Sequence, residues 1–319
     1  MNKVRIPIFF AADENYLPYL AVTVKSISDH SSDDYIYDIK ILTDGFSDEA
    51  VESLRSMELR NVEISVVDIN EAIKGSRRLL RMRLRDYYSE AIYYRLYIAA
   101  LFPRLERAIY IDCDIVLVDD IAKLYFSDIG DSILGAVSDE SIPAVPPFAA
   151  YVRHWIGKEP EEYINSGVLV MNLTEFRRER IMEKFSELVN THNFETVAPD
   201  QDYLNFLCHG RIKYLPAGWN KQPSPAFVIP REELHLIHYN FFNKPWHYEG
   251  VMYEEEFWRV ADSTPFAEQI RRGFETYTDA EREADKAGGD RLVAAADEIS
   301  RTEGGFAETL GDSYYSFKK

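Results

Sequence analysis

Two aspartates, Asp112 and Asp114, interrupt the otherwise apolar segment RAIYIDCDIVLV (107–118). The isoleucines and valines on either side are typical of a buried strand, in which an uncompensated carboxylate is costly. A hard divalent cation is the compensating partner that these residue types favour, because such ions take carboxylate oxygens and share their coordination sphere with phosphates. Taken alone, the pair is equally compatible with two solvated aspartates at the end of a strand.

A second candidate site lies near the N-terminus, in the segment IPIFFAADENY (6–16). A short apolar strand is followed by the small residues Ala11 and Ala12, which let a flat ring approach the backbone. Asp13 comes next and can accept hydrogen bonds from a base or a ribose. This segment therefore predicts a nucleoside subsite.

A third candidate is the segment LHLIHYNFFNKPWH (234–247), in which a predicted strand ends at His238 and Lys244 follows six residues later. A neutral imidazole is a good ligand for a manganese-like ion, and a nearby lysine suits a pyrophosphate. A histidine at a strand end usually has a structural partner. The aspartate pair upstream and Lys244 favour the metal interpretation here.

With three further segments, these pieces resemble glycosyltransferase family 8, the group that includes bacterial lipopolysaccharide galactosyltransferases and glycogenin. The matching pieces run in order from about residue 6 to residue 246: FAADENY, YYRLYIA, YIDCDIVL, NSGVLVMNL, PDQDYLN and HYNFFNKPWH. The resemblance implies an α/β, single GT-A-type nucleotide-sugar-binding domain. It also implies a retaining hexosyltransferase that moves galactose or glucose from UDP-galactose or UDP-glucose to a glycan or glycoconjugate acceptor.

The resemblance assigns roles to individual residues. Asp112, Asp114 and His238 would hold Mn²⁺, with Mg²⁺ as the alternative ion. Lys244 would stabilise the departing UDP, while Asp200 and Gln201 are the nearest candidates for a nucleophile, and a front-face route without a nucleophile stays open. The expected donor-binding residues are Ala11, Ala12, Asp13, Asn15, Tyr16, Arg95, Asp112, Cys113, Asp139, Asn165 and Lys244.

Two positions depart from the family pattern. Many relatives have a glycine three residues after the metal-binding histidine, where this chain has Phe241. Three residues before Arg95, a small hydroxyl residue is common in relatives, and this chain has Ile92. One uridine contact and the local phosphate contacts are therefore expected to differ, whereas the roles of His238 and Lys244 are not affected.

The rhythm of strands and helices predicts an α/β domain with a mainly parallel central sheet. The segment 47–59 is a predicted helix with Ser47 as its N-cap. In such sheets ligands bind at the carboxyl ends of the strands, where Asp13 and the aspartate pair both fall. The predicted strands of the first half are Ile6–Ala11, Tyr37–Leu42, Val62–Val67 and Ala108–Leu117.

Composition excludes several classes of protein. The formal charge of −18 argues against a nucleic-acid partner, because phosphate binding needs clustered basic surface. No apolar run reaches the roughly 20 residues of a membrane span, and the N-terminus lacks a signal-peptide pattern. Only Cys113 and Cys208 are present, which favours a reducing cytoplasm over a disulfide framework. Peripheral membrane association stays open, and the sequence makes no prediction of oligomeric state.

The resemblance divides the chain into residues 1–274, the GT-A glycosyltransferase domain, and residues 275–319, an acidic C-terminal extension. The extension carries eleven acidic and six basic residues. Glycine pairs at 288–289 and 304–305 predict breaks, with short helices over 280–287 and 291–300. It is expected to be helical or partly disordered and loosely attached, so that a chain ending near Thr278 would remain folded and active. The basic segment at 74–85 is expected either to form a solvated helix face or to attract the phosphates of the donor.

Two alternative functions come from other classes. DCDIV fits the nucleophile motif of haloacid-dehalogenase-like phosphatases, although that motif usually lies on the first strand and here follows about a hundred residues of α/β pattern. The chain could also be a non-catalytic nucleotide-sugar-binding protein that kept the scaffold. The presence of all three expected metal ligands argues against that alternative.

Overall fold

The computed structural model describes residues 3–70 and 90–315; the basic segment at 74–85 lies outside these ranges. The strands are Val4–Ala11 (β1), Tyr35–Thr43 (β2), Val62–Asp68 (β3), Arg107–Ile111 (β4), Ile115–Leu117 (β5), Leu134–Ser138 (β6), Ile164–Asn172 (β7), Ile212–Tyr214 (β8) and Leu236–His238 (β9). The helices are Leu17–Asp29 (α1), Asp48–Arg55 (α2), Tyr94–Leu101 (α3), Ala122–Tyr125 (α4), Ser141–Ala144 (α5), Pro146–Tyr151 (α6), Leu173–Arg178 (α7), Ile181–Thr191 (α8), Pro199–Leu207 (α9), Glu254–Ala261 (α10), Ala267–Thr276 (α11), Asp279–Ile299 (α12) and Phe306–Tyr315 (α13).

Within these ranges the central sheet has seven strands in the order β3-β2-β1-β4-β7-β6-β8. The pairings of β1 with β2 and β4, of β2 with β3, and of β6 with β8 are parallel, whereas β7 runs antiparallel to both of its neighbours. The fold is therefore α/β with a mainly parallel sheet, as expected. The carboxyl ends of β1 and β4 meet the amino end of β7 at one edge.

The expected helix at 47–59 is present as α2, and the side chain of Ser47 accepts a hydrogen bond from the backbone N–H of Ala50 as its N-cap. Apolar side chains cover both faces of the sheet. In β1, for example, Ile8 and Phe10 face one hydrophobic cluster and Phe9 faces another. The edge that carries the candidate site is thus held between two packed layers.

The prediction of one continuous strand over Ala108–Leu117 is wrong. β4 ends at Ile111, and the chain resumes as β5 in a separate two-stranded sheet with β9. The break leaves Asp112 and Asp114 outside the ladder of the central sheet, where their carboxylates face an open space. Pairing of β5 with β9 places His238 opposite Ile115, beside the two aspartates.

The C-terminal extension packs against the rest of the protein, contrary to the expectation of loose attachment. The predicted helix break at Gly288 and Gly289 is absent, and α12 continues through both. A Cβ at Gly288 would lie 2.9 Å from the ring of Phe242, so the glycines make room for that ring instead of ending the helix. The boundary at residue 274 as a division between domains stays a prediction.

Phe306 shows how much apolar surface the extension buries. Its side chain is fully buried, with its ring centroid 4.1 Å from that of Phe194 and 5.2 Å from that of Phe206. Phe306→Ala is expected to lower the free energy of unfolding by about 3–5 kcal/mol, measured by denaturant titration. Phe227→Ala, at a side chain that is 37% exposed, should change it by less than about 0.5 kcal/mol. If both substitutions changed the free energy of unfolding by the same small amount, the expectation of a loosely attached extension would be correct after all.

Candidate active site

A cavity of about 400 Å³ opens at the edge where β1, β4 and β7 meet. The predicted site residues line it, except for Asn15 and Asp139. The lining residues are Ala11, Ala12, Asp13, Tyr16, Ala91, Ile92, Arg95, Tyr110, Asp112, Cys113, Asp114, Asn165, Ser166, Gly167, Ala198, Asp200, Gln201, His238, Asn240, Phe241, Phe242, Lys244 and Leu292. Residues from seven separate segments of the chain therefore converge on one space.

Three of these residues place ligand atoms close together. One atom from each of Asp112, Asp114 and His238 lies within 4.8 Å of the other two. Nε2 of His238 is 3.2 Å from Oδ1 of Asp114 and 3.8 Å from Oδ2 of Asp112. Among the residues that the structure describes, none makes a hydrogen bond to Oδ1 of Asp114, although that atom is buried. This set of donor atoms suits a divalent cation.

The other oxygen of each aspartate has a protein partner. Oδ1 of Asp112 accepts hydrogen bonds from Arg95 and from the hydroxyl of Tyr110, each at 2.9 Å. Oδ2 of Asp114 accepts one from the ammonium group of Lys244. Burial opposes the charge on Asp114, but the attraction of Lys244 and His238 outweighs it and lowers the pKa of this carboxyl. Asp114 is therefore ionised at neutral pH.

Gly167 is a glycine because of its neighbours in the site. A Cβ at this position would lie 2.3 Å from Cε1 of His238 and 2.6 Å from Oδ2 of Asp112. Its carbonyl also accepts a hydrogen bond of 2.8 Å from the backbone N–H of Asp112. The absent side chain thus leaves the space in which the aspartate and the imidazole approach each other.

Arg95 links Asp112 to helix α9. Besides Asp112, its guanidinium contacts Asp200 at 3.2 Å and donates to the hydroxyl of Ser166 at 3.0 Å. Burial works against the charge of this guanidinium, and Asp112 and Asp200 compensate so that its pKa is raised. Burial raises the pKa of Asp200. The buried charge of Arg95 is thus paired with a carboxylate on both sides.

Gln201 is held at both ends of its amide. Its Oε1 accepts a hydrogen bond from the backbone N–H of Ser166 at 2.9 Å, and its Nε2 donates to Asp139 at 3.2 Å. Asp139 also accepts from the side chain of Asn165 at 2.9 Å. The structure therefore places Asp139 behind the cavity wall, where it orients Gln201 and Asn165.

Asp202, the remaining acidic residue of PDQDYLN, faces away from the cavity. Its carboxylate accepts hydrogen bonds from the backbone N–H groups of Val197 and Ala198 and from the hydroxyls of Tyr151 and Tyr163. Asp202 thereby connects the start of α9 to two neighbouring segments, so its role is structural.

In the segment after β1, Asp13 accepts a hydrogen bond of 3.0 Å from the backbone N–H of Asn15, whose own side chain is exposed. Cys113 lines the cavity, but its thiol is directed to the carbonyl of Ala11 at 3.4 Å, and burial raises its pKa. Cys113 is therefore a neutral thiol in the cavity wall.

Among the residues of the cavity wall, sequence reasoning named Phe241 only as a departure from the family pattern, and it did not name Phe242 or Leu292. Phe241 is 41% exposed and has φ of 59°, a left-handed conformation that favours glycine. Phe241 thus places a bulky ring on a backbone conformation that suits glycine. Phe242 lines the same wall, and so does Leu292, which belongs to α12. No local pattern marks these residues, because tertiary packing brings α12 to the site.

The fold and the site together define a GT-A glycosyltransferase. Residues 7–250 match the family model described as glycosyl transferase family 8, and the chain belongs to that family. The phosphatase alternative and the non-catalytic alternative are therefore set aside. No helix in the ranges 3–70 and 90–315 has both the length and the hydrophobicity that crossing a membrane requires.

Several relatives are similar over most of the chain. A candidate glycosyltransferase of Haemophilus influenzae is 30% identical over 250 residues, covering 75% of this chain and 72% of the relative. Lipopolysaccharide 1,2-glucosyltransferase of Escherichia coli K12 is 25% identical over 284 residues, covering 83% of this chain and 80% of that enzyme.

Solved structures agree with these matches. The galactosyltransferase LgtC, in complex with donor and acceptor sugar analogues, has a TM-score of 0.67 and 27% identity, over 82% of this chain and 96% of LgtC. The bifunctional glycosyltransferase WbbM, in its apo form, has a TM-score of 0.74 and 23% identity over 86% of this chain. This chain spans 52% of WbbM, and that likeness shows the fold alone.

Proposed function

We propose that this glycosyltransferase transfers glucose or galactose from a UDP-sugar to a glycan or glycoconjugate acceptor, with retention of anomeric configuration. The observation that carries the proposal is the convergence of Asp112, Asp114 and His238 on one side of a cavity large enough for a nucleotide sugar. The relatives support the two donor sugars, since one is named a glucosyltransferase and another a galactosyltransferase.

Asp112, Asp114 and His238 would hold Mn²⁺, or Mg²⁺, through two carboxylate oxygens and one imidazole nitrogen. The mixed oxygen and nitrogen donors favour manganese. When bound, the ion supplies Lewis-acid stabilisation of the charge that develops on the departing diphosphate. The ammonium group of Lys244, which pairs with Asp114, adds a fixed positive charge on the same side of the cavity.

The remaining residues divide between the two ends of the donor. Asp13 accepts hydrogen bonds from the nucleoside, beside the small residues that let a flat ring approach. At the other end Asn165, Asp200 and Gln201 bind the hexose, and Asp139 acts by orienting two of them. The remaining proposed nucleoside contacts are Ala11, Ala12, Asn15, Tyr16 and Cys113, with Arg95 holding Asp112 in place.

Retention requires either a covalent intermediate or attack on the face from which the leaving group departs. The amide of Gln201 is bonded at both ends, and Asp200 is paired with Arg95 and accepts from Ser166. These contacts assign both side chains an orienting role in the cavity wall. These contacts support front-face attack, with the leaving phosphate taking the proton of the acceptor hydroxyl.

Hydrolysis of a panel of UDP-sugars in the presence of Mn²⁺ tests the proposal without knowledge of the acceptor. Release of UDP is expected from UDP-glucose or UDP-galactose, and chelation should abolish it until manganese is restored. Undiminished hydrolysis in excess chelator would contradict the metal assignment. Failure to hydrolyse or bind any UDP-sugar would contradict the donor assignment.

Gln201→Ala is expected to reduce turnover strongly while leaving the affinity for UDP nearly unchanged, because Gln201 is assigned to the hexose. Calorimetry with UDP and Mn²⁺ measures the affinity, and UDP release measures turnover. Gln222→Ala is the matched control, since Gln222 also donates to Asp139, at 3.1 Å, but does not line the cavity. A large loss of UDP affinity in Gln201→Ala would show that Gln201 binds the nucleotide instead.

A further inference from the structure

A row of buried hydrogen bonds runs from the sugar side of the cavity to the metal side. Asn165 donates to Asp139 at 2.9 Å, and Asn220 donates to Oδ1 of Asn165 at 2.9 Å. Nδ1 of His238 lies 2.8 Å from Oδ1 of Asn220. We call these four residues the amide row. All four side chains are buried, so water does not compete for their hydrogen bonds.

The direction of each hydrogen bond in the amide row is determined by its neighbours. Oδ1 of Asn165 accepts from the backbone N–H of Gly167 at 3.0 Å, and a backbone N–H can only donate. The NH₂ group of Asn165 must therefore face Asp139. Asn220 in turn has to present its own NH₂ group to Oδ1 of Asn165, which leaves its oxygen facing His238.

An amide oxygen can only accept, so the proton of the neutral imidazole lies on Nδ1. The lone pair of Nε2 then faces Oδ1 of Asp114 and Oδ2 of Asp112. We propose that Asn220 is a positioning residue that holds His238 in the tautomer and orientation in which Nε2 ligates the metal ion. This inference rests on the metal role in the proposed function, and it adds a residue outside the cavity lining.

The orientation has a wider consequence for the site. Asn165 and Gln201, both assigned to the hexose, share Asp139 as an acceptor, and Asn165 continues through Asn220 to His238. The amide row thus joins the sugar subsite to a metal ligand through rigid, buried contacts. Partners of this kind fix the ring of a ligating histidine and raise its basicity.

The tautomer can be measured in the metal-free wild-type protein. Side-chain ¹⁵N spectra of histidine-labelled protein at about pH 8 distinguish a protonated from an unprotonated ring nitrogen, and His238→Gln assigns the signal. We expect Nδ1 to be protonated. An unprotonated Nδ1 would overturn the proposal, because the amide oxygen of Asn220 that faces it can only accept a hydrogen bond.

Two substitutions of Asn220 separate positioning from stability. Asn220→Leu keeps the volume but removes the acceptor, and the dissociation constant for Mn²⁺ with UDP should rise roughly 10- to 100-fold, measured by electron paramagnetic resonance of free Mn²⁺. Asn220→Asp retains an acceptor for Nδ1–H but buries a charge against Oδ1 of Asn165. It should be the less stable variant and yet bind Mn²⁺ more tightly than Asn220→Leu.

A purely structural role predicts the opposite order, with affinity following stability, and that order would overturn the proposal. Gln222→Leu, the control, removes another buried donor to Asp139, whose Oδ1 still accepts from Ser141, and should bind Mn²⁺ like the wild type. If Asn220→Leu does not fold, the tautomer measured in the wild type and the Mn²⁺ affinity of Asn220→Asp still test the proposal. Absence of UDP-sugar hydrolysis would contradict the proposed function and leave the measured tautomer valid.

Discussion

Asp114→Asn is expected to lower UDP-sugar hydrolysis by about a thousandfold or more while the protein stays folded. The substitution keeps the shape of the side chain and an oxygen for Lys244, but it removes the negative charge that would hold the metal ion. Metal stabilisation of a leaving diphosphate contributes several kcal/mol, and about 1.4 kcal/mol corresponds to a tenfold change in rate. The measurement is UDP release, together with a thermal unfolding curve.

Asp119→Asn is the matched control for this variant. Asp119 also lies between a lysine and a histidine, with Lys123 at 2.7 Å and His235 at 2.9 Å, but it does not line the cavity. It should retain activity. If Asp114→Asn loses its thermal transition while Asp119→Asn keeps it, Asp114 is primarily structural. If Asp114→Asn hydrolyses the UDP-sugar at the wild-type rate, Asp114 does not belong to the metal site.

Gly167→Ala is expected to reduce hydrolysis by roughly a hundredfold and to weaken Mn²⁺ binding, because the new methyl group would overlap the imidazole of His238 and the carboxylate of Asp112. Overpacking of this kind typically costs about 1–3 kcal/mol, so the protein should still fold. Hydrolysis and Mn²⁺ affinity are measured on the same preparation.

Gly273→Ala provides the control, since a Cβ at that position in α11 would meet nothing within 4 Å among the described residues. It should keep full activity and gain slightly in stability, because alanine favours the helix. If Gly167→Ala behaved like Gly273→Ala, the close approach of Gly167 to the metal side would have no functional importance.

The sequence by itself determined the family, the α/β class and the candidate metal ligands. Those features depend on local patterns: short apolar strands, small residues before Asp13, and carboxylates one residue apart within an apolar run. Each pattern can be recognised in the sequence because its physical cause lies within a few residues. The convergence of His238 with Asp112 and Asp114 agrees with that prediction.

Only the tertiary structure decided which partners these residues have. The contact of Asn220 with His238, the close approach of Gly167 to His238 and Asp112, and the room that Gly288 leaves for Phe242 all depend on segments that are distant in sequence. The predicted strand over Ala108–Leu117 breaks after Ile111 because β5 pairs with β9, and an apolar run does not show with which sheet it pairs. The glycines at 288 and 289 predict a helix break, but α12 continues through them and Gly288 leaves room for the ring of Phe242. Propensity describes the residue alone, whereas packing against a distant side chain decided the conformation.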